Sequence, residues 1–497
     1  MNTGDNELIE HRLGKLKALR EKGLDPFAIE RYERTHTAAQ INENFESLEG
    51  QEVSTAGRIV SYRPMGKASF AHLQDESGKI QAYIKTDEVG PETYALLEYT
   101  DIGDFLGIKG KVGKTRTGEV TIFVKSFEIL AKSLQPIPLG KQKGDQEWYG
   151  LQDVEQRYRQ RYLDLIVNPE VMATMRKRSL IIRALREFLD NEGFIEVETP
   201  VLQAVAGGAA AKPFTTHHNA LDHDFHLRIS LELYLKRLIV GGFEKVYEMG
   251  RVFRNEGLST RHNPEFTLLE LYQAYVNLED MMDLVERMFG YICQKLYGGL
   301  TLSFKGQTVD LTAPWRRLPL LEGIREYAGV QPEEFKSLET AKKAGERLGL
   351  PMEHEHTIGG IVDKIHDRFV QPNLIQPTFI TDYPIDISPL AKKDPGDPTM
   401  TRRFEPFIVG QEVGNAFSEI NDPIDQRERF LDQAKQRAGG DEEAHPMDED
   451  FLRALEHGMP PTGGLGVGID RLVMLFTDEQ SIRDVLLFPQ MKPEKTE

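Results

Sequence analysis

The sequence predicts an α+β protein in two parts, a small N-terminal β-barrel followed by a larger domain with an antiparallel β-sheet flanked by helices. Three observations point there. Between residues 53 and 130, apolar and polar residues alternate with period two in five short runs. From about residue 170 onward, helix-period stripes and strand-period runs mix without βαβ regularity. Between these stretches, residues 134–150 ("LQPIPLGKQKGDQEWYG") are rich in Pro, Gly and Lys, a linker composition.

Composition excludes several classes. The chain has 497 residues, 39% hydrophobic and 28% charged, as in an ordinary globular protein of two to four domains. No apolar run approaches the roughly 18 residues of a membrane span, and the start "MNTGDNELIEHRLGKLK" lacks the apolar core of a secretory signal. Cys293 is the single cysteine, so no intrachain disulfide or Cys-based zinc site exists, which fits a reducing cytoplasm. The net charge of −18 argues against a protein that coats nucleic acid. That charge is uneven: residues 51–150 hold 13 Lys+Arg and 13 Asp+Glu, leaving a neutral module that a polyanion can approach.

In order, residues 1–50 read as a charged helical extension and linker. The strands Val53–Tyr62, Ala68–Asp75 and Lys79–Ile84 follow, then a short helix, Pro91–Tyr99. Phe105–Lys114 and Glu119–Leu130 complete the set, joined by a "TRTG" turn. Five strands with a helix between the third and fourth is the element order of an OB-fold, here over 51–133; another small barrel is the alternative. After a linker over 134–165, the larger domain (166–497) opens with a long helix, "VMATMRKRSLIIRALREFLDNEGF". Leu180, Ile181, Ala184, Leu185, Phe188 and Leu189 form its apolar stripe and Gly193 its C-terminal cap. "IEVETP" then reads as a strand stopping at Pro200. The tail "MKPEKTE" is expected to fray.

"RVFRNEGLSTRHNPEF", residues 251–266, gathers Arg251, Arg254, Arg261 and His262 between two apolar runs of an acidic chain. "EKVYEMGRVFR" and "FTLLELYQAY" are antiparallel strands, and Phe266, Leu268, Glu270 and Tyr272 share one face. The long polar loop between them can hold a phosphate chain, because a guanidinium fork matches paired phosphate oxygens and an aromatic nearby can stack a base. The bland alternative is a solvated hairpin tied by surface ion pairs; loops this long are more often functional. In "TGGLGVGIDRLVMLF" (462–476), four glycines lead into a helix whose third residue is Arg471. It matches neither a GxGxxG fingerprint nor a Walker motif, and by itself a structural strand-to-helix turn explains it equally well.

Together with the helix–strand–Pro200 unit, these stretches resemble motifs 1 (about 172–200), 2 (about 244–275) and 3 (about 462–476) of the class II aminoacyl-tRNA synthetases. "RISLELYLKRLIVGGFEKVYEMGRVFRNEGLSTRHNPEFTLLELYQAY", "GGAAAKPFTTHHNALD", "DISPLAKKD" and "FEPFIVGQEVGNAFSEINDP" are similar to the lysyl-tRNA synthetase family in particular. The resemblance covers nearly the whole chain. It implies a lysine–tRNA ligase that forms lysyl-adenylate from ATP and transfers lysine to the 3′ end of tRNA(Lys), dimerising through motif 1 with Pro200 against the partner.

By the same resemblance, Arg254 and Arg471 are the catalytic cations. Arg254 would hold the α-phosphate and the substrate carboxylate, Glu256 the adenine amino group, and His262 the terminal phosphates. Phe266 would stack on the purine, Arg471 would cover its other face and hold the γ-phosphate, and Asn263 belongs to the same ATP site. Glu405 and Glu412 match the family's Mg²⁺ ligands; from spacing alone they read as solvated acids. Glu232, Glu419 and Tyr272 would hold the lysine ammonium, and Glu270 and Asn415 its backbone end, with Gly208 leaving room. A buried ammonium demands such partners. On the barrel, Arg63, Phe70, Gln81 and Glu119 would read the anticodon, an aromatic stacking an unpaired base and an amide reading its edge. "HEH" at 354–356 departs from HExxH and reads as surface. Two departures from the family pattern, Arg402 and Pro406, bear on the geometry beside the metal.

Aspartate and asparagine enzymes share the barrel and the three motifs, but two acids placed for an ammonium argue against them. A paralogue that lysylates a translation factor usually lacks the barrel. A non-catalytic RNA-binding relative would not need Arg254, Glu405, Glu412 and Arg471 intact.

Overall fold

The computed structural model describes residues 3–139, 141–143, 146–148, 150–438 and 445–494. Part of the linker (residues 140, 144, 145 and 149), the first two residues and the last three of the tail lie outside the described residues. The chain divides into two compact units, residues 1–157 with 162–167, and residues 158–161 with 168–497.

In the first unit, helix α1 (Thr3–Glu21) precedes a closed barrel of β1 (Glu52–Met65), β2 (Ala68–Gln74), β3 (Lys79–Lys85), β4 (Phe105–Lys114) and β5 (Val120–Ala131). The strands close in the order β1-β2-β3-β5-β4, with β3 and β5 parallel and the other pairs antiparallel. Period two explains the inside: Ala71, Leu73, Ala82, Ile84, Ile122 and Val124 point into a common core, so their neighbours point out. The helix expected between β3 and β4 is present as short turns at Thr86–Val89, Pro91–Ala95 and Leu96–Tyr99. The linker contains a two-stranded ribbon, Lys141–Lys143 against Gln146–Trp148.

The second unit is built on one large sheet. Its strands are β6 (Ile195–Glu196), β7 (Lys245–Phe253), β8 (Glu265–Ala274), β9 (Arg316–Pro319), β10 (Thr378–Pro384), β11 (Met400–Ile408), β12 (Gln411–Glu412), β13 (Asn415–Ser418) and β14 (Thr462–Gly468). They run β9-β10-β11-β13-β14-β8-β7-β6, with β12 paired to β11. Pairing is antiparallel except at the two ends, β9–β10 and β6–β7. Helices α2 (Pro169–Asn191), α4 (Leu278–Tyr297) and α5 (Ile469–Thr477) pack in one apolar cluster with the sheet, while α3 (Glu232–Val240) belongs to a second cluster with Phe430, Phe451 and Leu455.

Two expectations are corrected. Leu180 is 47% exposed and stands outside the core. Ile181, Ala184, Leu185, Phe188 and Leu189 already complete an i, i+3, i+4, i+7, i+8 stripe, and Leu180 sits about 100° round the helix from Ile181. The "IEVETP" strand is regular only over Ile195–Glu196. Val197 still donates its N–H to the Tyr247 carbonyl (2.9 Å), but Thr199 has other partners, its hydroxyl donating to Glu248 (2.6 Å) and its carbonyl accepting from Arg228 (3.0 Å). The cap at Gly193 forms as expected: the Phe194 N–H reaches the Leu189 carbonyl and the Gly193 N–H that of Asp190, each at 3.0 Å.

Phe289 of α4 is fully buried, with ring contacts to Trp315 (5.5 Å) and Phe476 (6.2 Å). Phe289→Ala is expected to cost about 3–5 kcal/mol, read as a lowered midpoint of thermal unfolding with the barrel's β-signature retained.

Candidate active site and barrel face

Register assembles the site. In the β7–β8 hairpin, Val252 pairs with Phe266 and Glu248 with Glu270, so Phe266, Glu270 and Tyr272 share a face of β8. Arg254 follows β7, and its backbone N–H bonds the Pro264 carbonyl across the loop at 2.7 Å. The Arg254 guanidinium lies 5.1 Å from the centre of the Phe266 ring and donates to the Ile229 carbonyl at 3.4 Å. Burial lowers its proton affinity from the ordinary arginine value, and Glu256, Glu270 and Glu412 counter that. Glu256 is exposed at the loop's start. Asn263 is buried with its amide spent on backbone groups: Nδ2 donates to the Glu265 carbonyl (2.6 Å) and Oδ1 accepts from Gln490 (3.1 Å). Asn263 therefore pins the loop.

Strand β14 pairs with β8 so that Gly464 faces Tyr272 and Gly466 faces Glu270, and with β13 so that Gly466 also faces Asn415. The glycines there leave space that other residues use. A Cβ on Gly464 would come within 2.0 Å of Glu419 Oε1 and 2.6 Å of the Tyr272 ring. Beyond the strand, α5 begins, and its Asp470 accepts the Thr267 N–H (2.8 Å) and pairs with Arg178 (2.6 Å), fixing the helix start against β8. Arg471 donates to Glu412 at 3.0 Å and to His262 Nε2 at 3.3 Å. A cleft of ≈ 380 Å³ opens there, lined by Arg261, His262, Arg403, Glu405, Glu412 and Arg471 among others. Burial, then the nearby Arg471, lowers the His262 proton affinity.

Glu405 and Glu412 face this cleft. Glu405 accepts the Tyr383 hydroxyl (2.8 Å) and pairs with Arg403 (2.5 Å). Burial raises the Glu412 proton affinity, with the charge of Glu405 adding to it. Two carboxylates facing one cleft beside cations suit a hard, oxygen-liganded cation that shares phosphate oxygens. Among the described residues no three His, Cys, Asp or Glu side chains come together tightly enough to hold a metal by themselves, so phosphate and water oxygens would have to complete the shell. Arg402 points elsewhere, to Glu279 and Asp394. Pro406 sits within β11 opposite Phe379. His354 and His356 are exposed, as expected for a surface segment.

The acids named for an ammonium lie together and buried. Glu232 starts α3, and Glu419 follows β13, its N–H bonding the Thr462 carbonyl at 2.8 Å. Burial lifts the Glu419 proton affinity to about 8 and raises that of Glu232. Burial also lifts Glu270 to about 8, helped by the charge of Glu232. Glu270 accepts the Leu231 N–H (3.3 Å) and the Tyr272 hydroxyl (3.4 Å). Asn415 accepts from Arg403 at 3.2 Å. Gly208 has φ +88°, and a Cβ there would lie 2.0 Å from the Ser230 hydroxyl, so the position admits only glycine.

On the barrel, Phe70 pairs with Tyr83 and His72 with Gln81, so all four share the outward face of β2 and β3; Arg63 of β1 lies opposite Phe70. The Phe70 and Tyr83 rings lie 4.7 Å apart, and Phe123 stands edge-on to Tyr83 at 5.7 Å. Gln81 donates to Glu119 (2.6 Å) and accepts from Thr121 (2.7 Å), while His72 reaches the other Glu119 oxygen at 2.7 Å. The result is an aromatic step beside a fully oriented amide and carboxylate.

Two residues at the catalytic site escaped sequence reasoning. Arg403 connects Glu405, Asn415 and Ser388; a period-two "RFE" alternation on β11 is its only signal. Lys236 sits between Glu232 and Glu419. At i+4 from Glu232 it reads as a surface pair, unless the apolar residues all round "LELYLKRLIV" are taken to mean a buried helix.

Residues 153–492 match the family model described as tRNA synthetases class II (D, K and N), and residues 53–130 match that of the OB-fold nucleic acid binding domain. The chain is 56% identical over 489 residues to a lysine–tRNA ligase of Thermoanaerobacter sp. (strain X514), covering 98% of this chain and 97% of that one. It is 56% identical over 492 residues to a lysine–tRNA ligase of Pelotomaculum thermopropionicum (99% and 96%) and 52% identical over 493 residues to one of Clostridium novyi (99% and 95%). With the glycine-lined strand, the guanidinium pair and the buried acids in one sheet, the chain belongs to the class II tRNA synthetases and, within them, to the lysine–tRNA ligase family.

Proposed function

We propose that this protein activates L-lysine with ATP and attaches it to the 3′ end of tRNA(Lys). The observation that carries the reading is the place of Arg254: its guanidinium lies over Phe266 and feels both Glu270, among the buried acids, and Glu412 and Arg471, at the cleft. A cation so placed can hold a substrate carboxylate and an α-phosphate against each other. In the first step a lysine carboxylate oxygen bonds to the α-phosphorus and the bond to the β-phosphate oxygen breaks, releasing pyrophosphate. In the second, the terminal 3′-hydroxyl of the tRNA bonds to the activated carbonyl carbon and AMP leaves with the bonding electrons.

Arg254 and Arg471 stabilise charge building on the phosphoryl oxygens, preorganised in a partly desolvated site where such interactions are strong. His262 reaches the terminal phosphates, and Glu256 the adenine amino group; Phe266 stacks the base, and Asn263 keeps the loop in shape. Glu405 and Glu412 are the residues that would hold Mg²⁺, whose chemistry there is neutralisation of charge across the phosphates. Glu232, Glu419 and Tyr272 receive the side-chain ammonium; Glu270 and Asn415 orient the backbone end beside Gly208. Arg63, Phe70, Gln81 and Glu119 read the anticodon on the barrel face.

The protein works as a cytoplasmic homodimer. Among the described residues no helix is long and apolar enough to cross a membrane. Leu180, Ile195, Val201 and Leu202 are large apolar side chains left exposed within or beside motif 1, where a second copy can cover them.

Amino-acid-dependent ATP–pyrophosphate exchange tests the reading: lysine is expected to drive it, and aspartate or asparagine driving it instead would end the proposal. Arg254→Ala should lower kcat/KM for exchange by about 10²–10³-fold with unchanged thermal unfolding. Phe70→Ala should raise KM for tRNA about tenfold, in line with about 1–3 kcal/mol per stacked base, and leave lysine-driven exchange as it was. Sedimentation of Leu180→Glu/Leu202→Glu at micromolar concentration should show monomer where the unaltered chain shows dimer.

A further inference from the structure

The pocket assigned to a lysine side chain already holds a lysine. Lys236 of α3 is fully buried. Its Nζ lies 2.5 Å from Glu232 Oε1 and pairs with Glu419 Oε2. The rings of Tyr272 and Phe451 each stand 6.0 Å from it. Both Glu419 oxygens are buried without a well-directed hydrogen bond, Oε2 having only the ion pair with Lys236, and Oε1 occupies the space that Gly464 leaves open beside Tyr272.

We infer that Lys236 is a positioning residue for substrate selection: it clamps one oxygen of Glu232 and one of Glu419 and so aims the remaining oxygens at an incoming alkylammonium. This rests on the reading of the pocket as the lysine site. Charge count supports it. Once both carboxylates are ionised, they and the one resident ammonium carry a single net negative charge, which one monocationic side chain closes; a neutral or anionic side chain leaves that buried charge uncompensated. Geometry supports it as well. Lys236 lies one helical turn from Glu232, so the clamp links the start of α3 to the end of β13 and sets how deep both acids sit. Burial works against this ammonium, yet the two carboxylates outweigh burial and hold its proton more tightly than an ordinary lysine does. It therefore stays charged and in place. Depth set in this way separates lysine from ornithine, whose chain is shorter by one methylene.

The test is Lys236→Met in the full chain, followed by pyrophosphate exchange with lysine and with ornithine. The expected result is a KM for lysine raised about tenfold or more, kcat little changed, and the lysine-to-ornithine ratio of kcat/KM lowered about tenfold because the unclamped acids can swing toward the shorter chain. A KM and ratio within about twofold of the unaltered chain, or a fall in kcat at constant KM, overturns the inference. Should Lys236→Met fail to fold, a crystal structure of the unaltered protein with lysine decides. Nζ of Lys236 still bonded to both acids while the ligand takes their other oxygens supports the clamp, and Lys236 displaced from either acid refutes it. Absence of lysine-driven exchange by the unaltered chain overturns the substrate reading along with the clamp, so the two failures are distinguishable.

Discussion

Desolvation of charge is the constraint on which the catalytic unit is built. A carboxylate, guanidinium or ammonium taken out of water is tolerated only beside partners of opposite sign held in place. Around β8, β13 and β14 that condition is met by alternation. Glu232 and Glu419 share Lys236, Glu405 has Arg403 and Tyr383, and Glu412 has Arg471. Burial still outweighs the partners at Glu270, Glu412 and Glu419, whose proton affinities are raised. In the proposed reading, an alkylammonium at one end and phosphate oxygens at the other would satisfy what the protein leaves open.

The sheet turns that electrostatic requirement into a geometric one. Along one face of β8, Phe266, Leu268, Glu270 and Tyr272 run from beside the Arg254 guanidinium to beside the buried acids, and β14 next to them contributes glycines. Side chains on β14 would fill the volume that Glu419 and Tyr272 take up. The apolar cluster behind, with α2, α4 and α5, holds the sheet stiff enough for those spacings to persist. The barrel follows the same logic with weaker fields. Its inward residues close a core, which leaves Phe70, His72, Gln81 and Tyr83 in a row on the outside.

Much of this was legible beforehand, and the failures have physical causes. The β7–β8 hairpin, the glycine strand leading into α5, and the five barrel strands follow from periods and turn residues, which are local properties. Leu180 was misplaced because an apolar stripe read from sequence has blurred edges, and only packing decides which of two adjacent residues faces the core. Asn263 could be placed in the loop, but its duty of pinning the backbone depends on Gln490, 227 residues further along the chain. Glu232 and Glu419 were within reach only through family resemblance, since nothing local distinguishes a buried glutamate from an exposed one.

By itself, the sequence determined the α+β class, the barrel and its element order, and the segments that gather charge between apolar runs. Each is written in spacing along the chain. Tertiary structure alone decided that Lys236 stands between two acids 187 residues apart in sequence, and that Arg403 links Glu405 to Asn415. It also decided that Arg254 lies within reach of both halves of the site. Coulombic pairing in a low-dielectric interior depends on distances through space, and those exist only once strands distant in sequence have found their register.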